Sequence, residues 1–333
     1  VLRRSILPTI KTQLNFYGYP ICLVLGNIGN IFIVIIFSQQ RVNACSTYLI
    51  SSAIANSCYL TFNSFIQIFP FYYADESIRA FALCKIRFYV SNLLGQIAKT
   101  MITLACIDRF MFTSSRATFR AFSQPKRAKW LVFVSIIFWF IFASHIAIMT
   151  TIINKRCGTF GTYSTIYTVY SIIFVGLIPP IILSIFGYST YSHMRQIHLR
   201  IQPIGPNNRQ GNITMRQRDR ELLIIVIAEV FVYVVTTTPY PLILLEMMIS
   251  PYVLSKKSVQ YSQIESFIFT VAFLLLFVNN TAPFYTYLTV SKSFRRDFKQ
   301  LIINGYRKIR RQPTAPNISG TQHHTFTKRD TYN

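Results

Sequence analysis

Seven long apolar runs dominate this 333-residue chain and restrict what it can fold into. A helix needs about 20 apolar residues to cross hydrocarbon about 30 Å thick, and each run is at least that long. The runs do not alternate apolar with polar residues, which disfavours a closed β-barrel. We therefore predict an all-α membrane protein, a seven-transmembrane helix bundle. The predicted spans are Tyr17–Ser38, Thr47–Pro70, Ala82–Phe110, Trp130–Thr151, Thr165–Ser192, Glu221–Ile249 and Gln263–Val290.

The formal net charge of +24 would suggest a nucleic-acid partner in a soluble protein. Here the basic residues lie between and after the apolar runs and form no aromatic-interleaved surface, so we expect a lipid bilayer and no nucleic acid. With the N-terminus outside, 23 of the 34 Lys and Arg residues fall on the inner side, in agreement with the positive-inside rule. We expect a multi-pass plasma-membrane protein with an extracellular N-terminus and a cytoplasmic C-terminus. Arg3, Arg4 and Lys11 run against this orientation.

The segments outside the spans differ in composition. Apolar residues recur at helical spacing among basic residues at Phe294, Phe298, Leu301 and Ile302, which predicts a short amphipathic helix on the anionic inner leaflet. A Pro-, Gly- and Asn-rich stretch at 202–212 predicts a linker. The predicted segments are an extracellular N-terminal part at 1–16, the seven-span domain at 17–290, the amphipathic juxtamembrane helix with its basic segment at 291–311, and a disordered cytoplasmic tail at 312–333.

Two of the six cysteines, Cys84 and Cys157, are predicted to lie on the outer side. Disulfides are rare in the reducing cytosol, and cysteines within spans act as small apolar side chains. Cys84 and Cys157 can therefore pair and join the second outer loop to the third span, and two free thiols are the alternative. From Cys84 to Arg109 the helix rises about 37 Å at 1.5 Å per residue, so its ends reach opposite membrane surfaces.

Short motifs follow one another along the spans in a fixed order. Each is a weak signal alone, but the full set at this spacing resembles the rhodopsin-like (class A) G-protein-coupled receptors from about Tyr17 to about Leu301. The resemblance implies a receptor that binds an extracellular ligand and activates a heterotrimeric G protein. The motifs are Gly26-Asn-Ile-Gly-Asn30, Cys84 with Cys157, Asp108-Arg109-Phe110, Trp139, Pro180 with Tyr188, Pro239, and Phe294-Arg295.

The resemblance also implies a switch at the inner end of the bundle. Arg109 would be held at rest by Asp108 and Asp219 and released when the sixth helix swings outward. Phe110 replaces the tyrosine of the family triplet. The family's fifth- and seventh-helix tyrosines correspond to Tyr188 and Tyr287. The alternative for Arg109 is a basic anchor at the membrane interface.

Two ionisable residues, Lys99 and Glu229, lie deep within predicted spans. Either one alone at the bilayer centre costs about 2.5–3.5 kcal/mol, so we expect them to face inward and pair, or to contact Asn56. A neutral or hydrated residue in a cavity is the alternative. Together with Asn30 and Asn279 they form a predicted core polar network.

The chain departs from the family at three places. Asn56 stands where an aspartate is usual, which puts sodium binding in doubt. The sixth span reads Thr236-Thr-Thr-Pro239 without the usual tryptophan, and the seventh reads Asn279-Asn-Thr-Ala-Pro-Phe-Tyr-Thr-Tyr287 instead of N-P-x-x-Y. This pattern is similar to divergent invertebrate peptide and orphan receptors, some of them FMRFamide-receptor-like.

The absence of two residues that bind known ligand classes narrows the ligand class. Ser91 lies where amine receptors have an aspartate, and the last span has no lysine for a retinal, so a peptide, most simply a neuropeptide, fits best. Solvation of the same polar groups at the surface is the alternative. The candidate pocket residues are Lys85, Arg87, Ser91, Asn92, Tyr261, Glu246 and Glu265.

Other functions find less support in the sequence. No H-E-x-x-H, G-x-S-x-G or paired-carboxylate arrangement occurs, so we expect no enzyme, cofactor or metal site. A transporter or channel would require a line of polar side chains across the bilayer, and few are available. A decayed receptor that binds without signalling is a further alternative, motivated by Asn56 and the missing tryptophan.

Overall fold

A bundle of seven transmembrane helices, or spans, forms the body of the protein and confirms the predicted fold class. Within the residues that the structure describes, six of them are long and apolar enough to cross a membrane by length and composition, and the second span packs among them. The computed structural model describes residues 2–39, 43–72, 81–114, 116–153, 156–200, 209–253 and 257–310. The first three spans are Leu2–Gln39, Ala44–Tyr72 and Phe81–Thr113, and a short helix follows at Ala117–Arg120.

The last four spans are each interrupted within the bundle. In the fifth, sixth and seventh spans a proline lies beside or within the interrupted region. Proline lacks the backbone N–H that continues the helical hydrogen bonds, which accounts for the interruption. The interruption of the fourth span at Ala143 has no such proline. The spans are Pro125–Phe142 with Ser144–Met149; Thr162–Ser171, the π-helical Ile172–Leu177 and Ile178–Arg200; Arg209–Thr237 with Pro239–Val253; and Val259–Thr281 with Pro283–Val290.

Several helices extend beyond the apolar runs that predicted them. The first span begins at Leu2, so most of the segment expected before Tyr17 continues the helix. Helical structure also begins at Arg209, which corrects the linker expected at 202–212; residues 201–208 lie outside the described residues. Hydropathy marks the length buried in lipid, whereas backbone hydrogen bonds continue a helix into water. The predicted tail at 312–333 also lies outside the described residues.

The fourth span presents an exposed apolar surface on the outside of the bundle. Phe133 and Ile141 are 61% and 67% exposed, while Ala128 and Trp139 are buried in the Pro125–Phe142 helix. Such an apolar surface is typical of a membrane-facing helix and would aggregate in water. The Trp139 Nε1 donates to Thr100 Oγ1 at 2.7 Å and fixes the buried face against the third span.

Gly26 allows the first span to pack closely against the second and seventh spans. A Cβ atom there would lie 2.3 Å from Leu60 Cδ1 and 3.3 Å from Thr281 Cα. Three residues later, a Cβ on Gly29 would lie 2.8 Å from Phe284 Cβ. The two glycines of the predicted motif therefore serve close helix packing.

A disulfide marks one end of the bundle, which we call the disulfide end. Strands β1 (Thr151–Ile153) and β2 (Arg156–Gly158) form an antiparallel hairpin in which Ile152 pairs with Cys157. Cys157 is bonded to Cys84, with Cα atoms 5.7 Å apart, which confirms the predicted disulfide. Arg109 lies about 37 Å of helix away, and we call that end the Arg109 end.

The predicted amphipathic helix follows the seventh span as Lys292–Arg310. Its apolar face packs on the Arg109 end, where Phe294 is buried against Phe37 and Tyr287, and Phe298 contacts Phe32. The basic side chains of Lys292, Arg296, Lys299 and Arg307 are exposed. This arrangement is that of a helix lying along a membrane surface.

Candidate functional site

A small cavity lies midway along the bundle, and four of the five predicted network residues line it. Its volume of about 20 Å³ holds a water molecule but is too small for a peptide side chain. The second, third, sixth and seventh spans each contribute to its wall. The lining residues are Ser52, Asn56, Ala98, Lys99, Ile102, Glu229, Val232, Tyr233, Asn279, Asn280, Pro283 and Thr286.

The buried carboxylate of Glu229 is held by Tyr287, whose hydroxyl donates to its Oε2. Lys99 faces the same cavity, and its Nζ lies 5.7 Å from the centre of the Tyr233 ring. Within the described residues no direct ion pair joins Lys99 to Glu229, so the cavity separates the two charges. The sequence predicted that both face inward, but their direct pairing is not observed in this conformation.

Tyr233 also connects the sixth span to the fifth. Its hydroxyl donates to the Val175 carbonyl at 2.8 Å. That carbonyl lies four residues before Pro179 and five before Pro180, and neither proline has an N–H to offer it. Tyr233 therefore satisfies a backbone acceptor that two prolines leave without its helical donor.

Asparagines complete the polar layer around the cavity. Asn279 Nδ2 donates to Thr236 Oγ1 at 2.8 Å and ties the seventh span to the sixth. Asn30 lies outside the cavity wall, but its Nδ2 donates to the Asn280 carbonyl at 3.1 Å. Because Pro283 lacks an N–H, the Asn279 carbonyl also loses its usual intrahelical donor. Sequence reasoning missed Asn280, although its position beside Asn279 and before Pro283 was a signal for it.

A second polar cluster is buried at the Arg109 end. Arg109 is 3% exposed, and its Nη2 donates to Asp108 Oδ2 at 2.7 Å. The other oxygen of Asp108 accepts from the Ser123 hydroxyl at 2.6 Å, a contact that the sequence did not predict. Phe110 packs on Phe186 of the fifth span, with ring centres 5.2 Å apart. The Asp108–Arg109 pair is therefore screened from solvent, and Ser123 joins it to the loop after the third span.

One predicted switch residue, Tyr188, is not brought to this cluster. Tyr188 is 73% exposed on the bundle surface, away from Arg109. Asp219 lies on the helix Arg209–Thr237, and its side chain is outside the described residues. Tyr287 joins the central cavity through Glu229 instead.

The predicted pocket residues divide into two groups at the disulfide end. In the third span, Ser91 Oγ donates to Asn63 Oδ1 at 2.6 Å, and Asn92 accepts from the Tyr170 hydroxyl at 2.8 Å. Lys85 is turned toward the fourth span, where its Nζ donates to the Ile148 carbonyl at 3.2 Å. Arg87 is half-buried, and within the described residues its side chain makes no hydrogen bond or ion pair.

The second group lies where the sixth and seventh spans meet. The Tyr261 hydroxyl donates to Glu246 Oε1. Lys257 Nζ donates to both oxygens of the buried Glu265, at 2.7 and 2.9 Å. These contacts bring Tyr261, Glu246 and Glu265 together, as expected of neighbours in one site.

The seven apolar spans, the lipid-facing fourth span and the buried central polar layer define a multi-pass membrane protein. Residues 27–283 match the family model described as 7 transmembrane receptor (rhodopsin family). The chain therefore belongs to the rhodopsin family of seven-transmembrane receptors, whose members are generally not enzymes. A search of curated proteins found no match.

Proposed function

We propose that the chain is a plasma-membrane receptor that binds an extracellular peptide at its disulfide end and activates a heterotrimeric G protein at its Arg109 end. Family membership supports the receptor function. The distribution of Lys and Arg supports the orientation, because basic segments such as the helix Lys292–Arg310 are favoured on the inner, anionic side of a membrane. The observation that carries the proposal is the buried pair of Asp108 and Arg109 at the foot of the third span.

The pair constitutes a resting lock in this proposal. A buried guanidinium remains charged, so a carboxylate partner is needed to compensate its charge. Outward movement of the sixth span would open a crevice beside Arg109. The last carbonyl oxygens of a G-protein helix could then accept hydrogen bonds from the guanidinium, and they carry the negative end of that helix dipole.

The central cavity couples the ligand to this lock. Glu229 lies on the sixth span, whereas Lys99 and Tyr287 lie on the third and seventh. Movement of the sixth span must break the Tyr287 hydrogen bond and separate Glu229 from Lys99. We propose that the two charges attract each other through a water in the cavity and hold the closed form. A ligand activates the receptor only as far as it binds the open form more tightly.

Nucleotide exchange on a purified G protein tests the proposal. We expect vesicles containing the receptor to accelerate exchange, and Arg109→Ala to reduce the rate to that of receptor-free vesicles. Lys129→Ala removes an exposed cation at the same end and should retain the wild-type rate. Undiminished exchange by Arg109→Ala would refute the role of Arg109.

A receptor that binds without signalling is the second candidate. Asn56 at the central cavity and the Thr236-Thr-Thr-Pro239 sequence favour it, since both depart from the family pattern. It predicts saturable peptide binding with no effect on nucleotide exchange. The signalling receptor predicts both.

A further inference from the structure

Two acidic side chains at the disulfide end, Glu246 and Glu265, differ in whether a nearby cation neutralises their charge. Glu265 is buried and has both oxygens within 2.9 Å of Lys257 Nζ, so its charge is neutralised within the bundle. Glu246 faces it from the sixth span and makes no ion pair within the described residues. Of these two carboxylates, only Glu265 has an ammonium group at ion-pair distance within the described residues.

The Glu246 carboxylate is only half satisfied. Its Oε1 accepts from the Tyr261 hydroxyl, while its Oε2 is buried and has no hydrogen-bond partner in the described part of the chain. A buried acceptor left unmatched costs about 1–3 kcal/mol, and more when it is charged. Lys11 of the first span donates to Ser266 Oγ at 2.6 Å and not to Glu246.

The position of Glu246 is set by the start of the seventh span. Ser258 caps that helix by accepting from the Tyr261 backbone N–H at 3.1 Å. The Lys257 ammonium lies 5.7 Å from the centre of the Tyr261 ring, so a cation–π contact also holds the ring in position. Tyr261 in turn directs its hydroxyl at Glu246. The carboxylate is thus fixed through Tyr261, and one of its oxygens has no hydrogen-bond partner within the described residues.

We infer that Glu246 Oε2 binds a cationic group of the ligand, a guanidinium or an ammonium, and that the ligand is a basic peptide. This inference rests on the proposed receptor function and specifies its ligand class. The ligand cation supplies the missing hydrogen bond and the missing positive charge together. Although the chain has only ten acidic residues against 34 basic ones, Glu246 makes no ion pair within the described residues.

Peptide pools that differ in one charge test the inference directly. The probes are fluorescent, N-acetylated, amidated hexapeptide pools with either arginine or its uncharged analogue citrulline at one position, and binding is measured to the full chain in nanodiscs. We expect the arginine pools to bind more tightly by roughly tenfold to a hundredfold, the effect of one charge-assisted hydrogen bond. Citrulline pools with a free N-terminus determine whether an ammonium serves equally.

Variants of two glutamates on the sixth span provide the matched comparison. Glu246→Gln should abolish the preference for arginine over citrulline, and Glu246→Lys should reverse it toward pools with glutamate at that position. Glu221 also has a buried Oε2 without a partner, but it lies at the Arg109 end, so Glu221→Gln should leave the preference unchanged. An epitope tag reports the amount of each folded variant at the cell surface.

Three results would overturn the inference: no binding of any cationic pool, equal binding of charged and uncharged pools, or an unchanged preference in Glu246→Gln. The binding assay does not depend on a G protein. If arginine pools bind through Glu246 while nucleotide exchange stays at the receptor-free rate, the ligand class stands and the signalling function fails.

Discussion

At the scale of single residues, Lys99 and Glu229 determine how the interior of the bundle tolerates charge. Both line a cavity large enough for one water, and neither has an opposite charge in direct contact within the described residues. A single unsatisfied charge at the bilayer centre costs about 2.5–3.5 kcal/mol. We propose that their placement on the wall of one cavity lowers that cost, because a water molecule there can bridge the two groups.

Exchanging the two charges tests this interaction. We expect Lys99→Glu and Glu229→Lys each to lower surface expression, because each leaves two like charges facing one cavity. The double variant should recover much of the wild-type expression, measured by flow cytometry of tagged protein. A double variant that expresses no better than the singles would contradict the interaction.

The Tyr287 hydroxyl makes a stronger contribution than an ordinary tyrosine hydrogen bond. It donates to a buried carboxylate, and such bonds contribute about 1.5–3 kcal/mol. Tyr287→Phe should therefore lower the thermal stability of the receptor in detergent. Tyr285 is the control, since its hydroxyl donates to the Leu25 carbonyl at 3.1 Å on the exposed side, and Tyr285→Phe should have a smaller effect. Equal losses would show that the Glu229 contact adds nothing.

At the scale of elements, helix packing depends on where a Cβ atom fits. Gly26→Ala forces the first span away from Leu60 and Thr281, and overpacking of this kind costs about 1–3 kcal/mol. Gly187→Ala is the matched control, because a Cβ at that position in the fifth span meets nothing within 4 Å. We expect Gly26→Ala alone to lower the melting temperature. Comparable melting of both variants would argue that the close approach is not required.

The Tyr233 bond to Val175 makes the fifth and sixth spans one packed unit. Tyr233→Phe would leave the Val175 carbonyl without a donor, at a cost of about 1–3 kcal/mol. It would also leave the ring beside Lys99, so packing is retained. Hydrogen exchange should become faster around Ile172–Leu177 in this variant, and unchanged protection there would count against the bond.

The sequence predicted the elements well where a single physical signal marks them. Apolar length identified the seven spans, and cysteine location identified the pair Cys84 and Cys157. The ends of the helices were harder to predict. Helices begin at Leu2 and Arg209, in polar segments that have no hydropathy signal. Contacts between spans, such as Tyr287 with Glu229, depend on rotations about helix axes that one sequence does not specify.

The candidate site was predictable only in part for the same reason. Buried charge is costly in lipid, and this cost alone indicated that Lys99, Glu229 and the asparagines face inward. It did not indicate that water-sized space separates Lys99 from Glu229. Tyr188 shows the limit of motif matching, because its position matches the family tyrosine while its side chain lies on the bundle surface.

At the scale of the whole molecule, the two ends of the bundle have different chemistry. One end has a disulfide-linked hairpin and a half-satisfied carboxylate. The other has a buried arginine and a basic amphipathic helix. A receptor requires these ends to face opposite compartments, with the third span as the connection between them.

Cysteine labelling of intact cells tests that requirement most directly. Thr162 at the disulfide end and Lys292 at the Arg109 end are both exposed, and each is replaced by cysteine in a chain whose four free cysteines are changed to alanine. We predict that a membrane-impermeant maleimide labels Thr162→Cys in intact cells and Lys292→Cys only after permeabilisation. Labelling of both sites in intact cells, or of neither until the membrane is opened, would contradict the account.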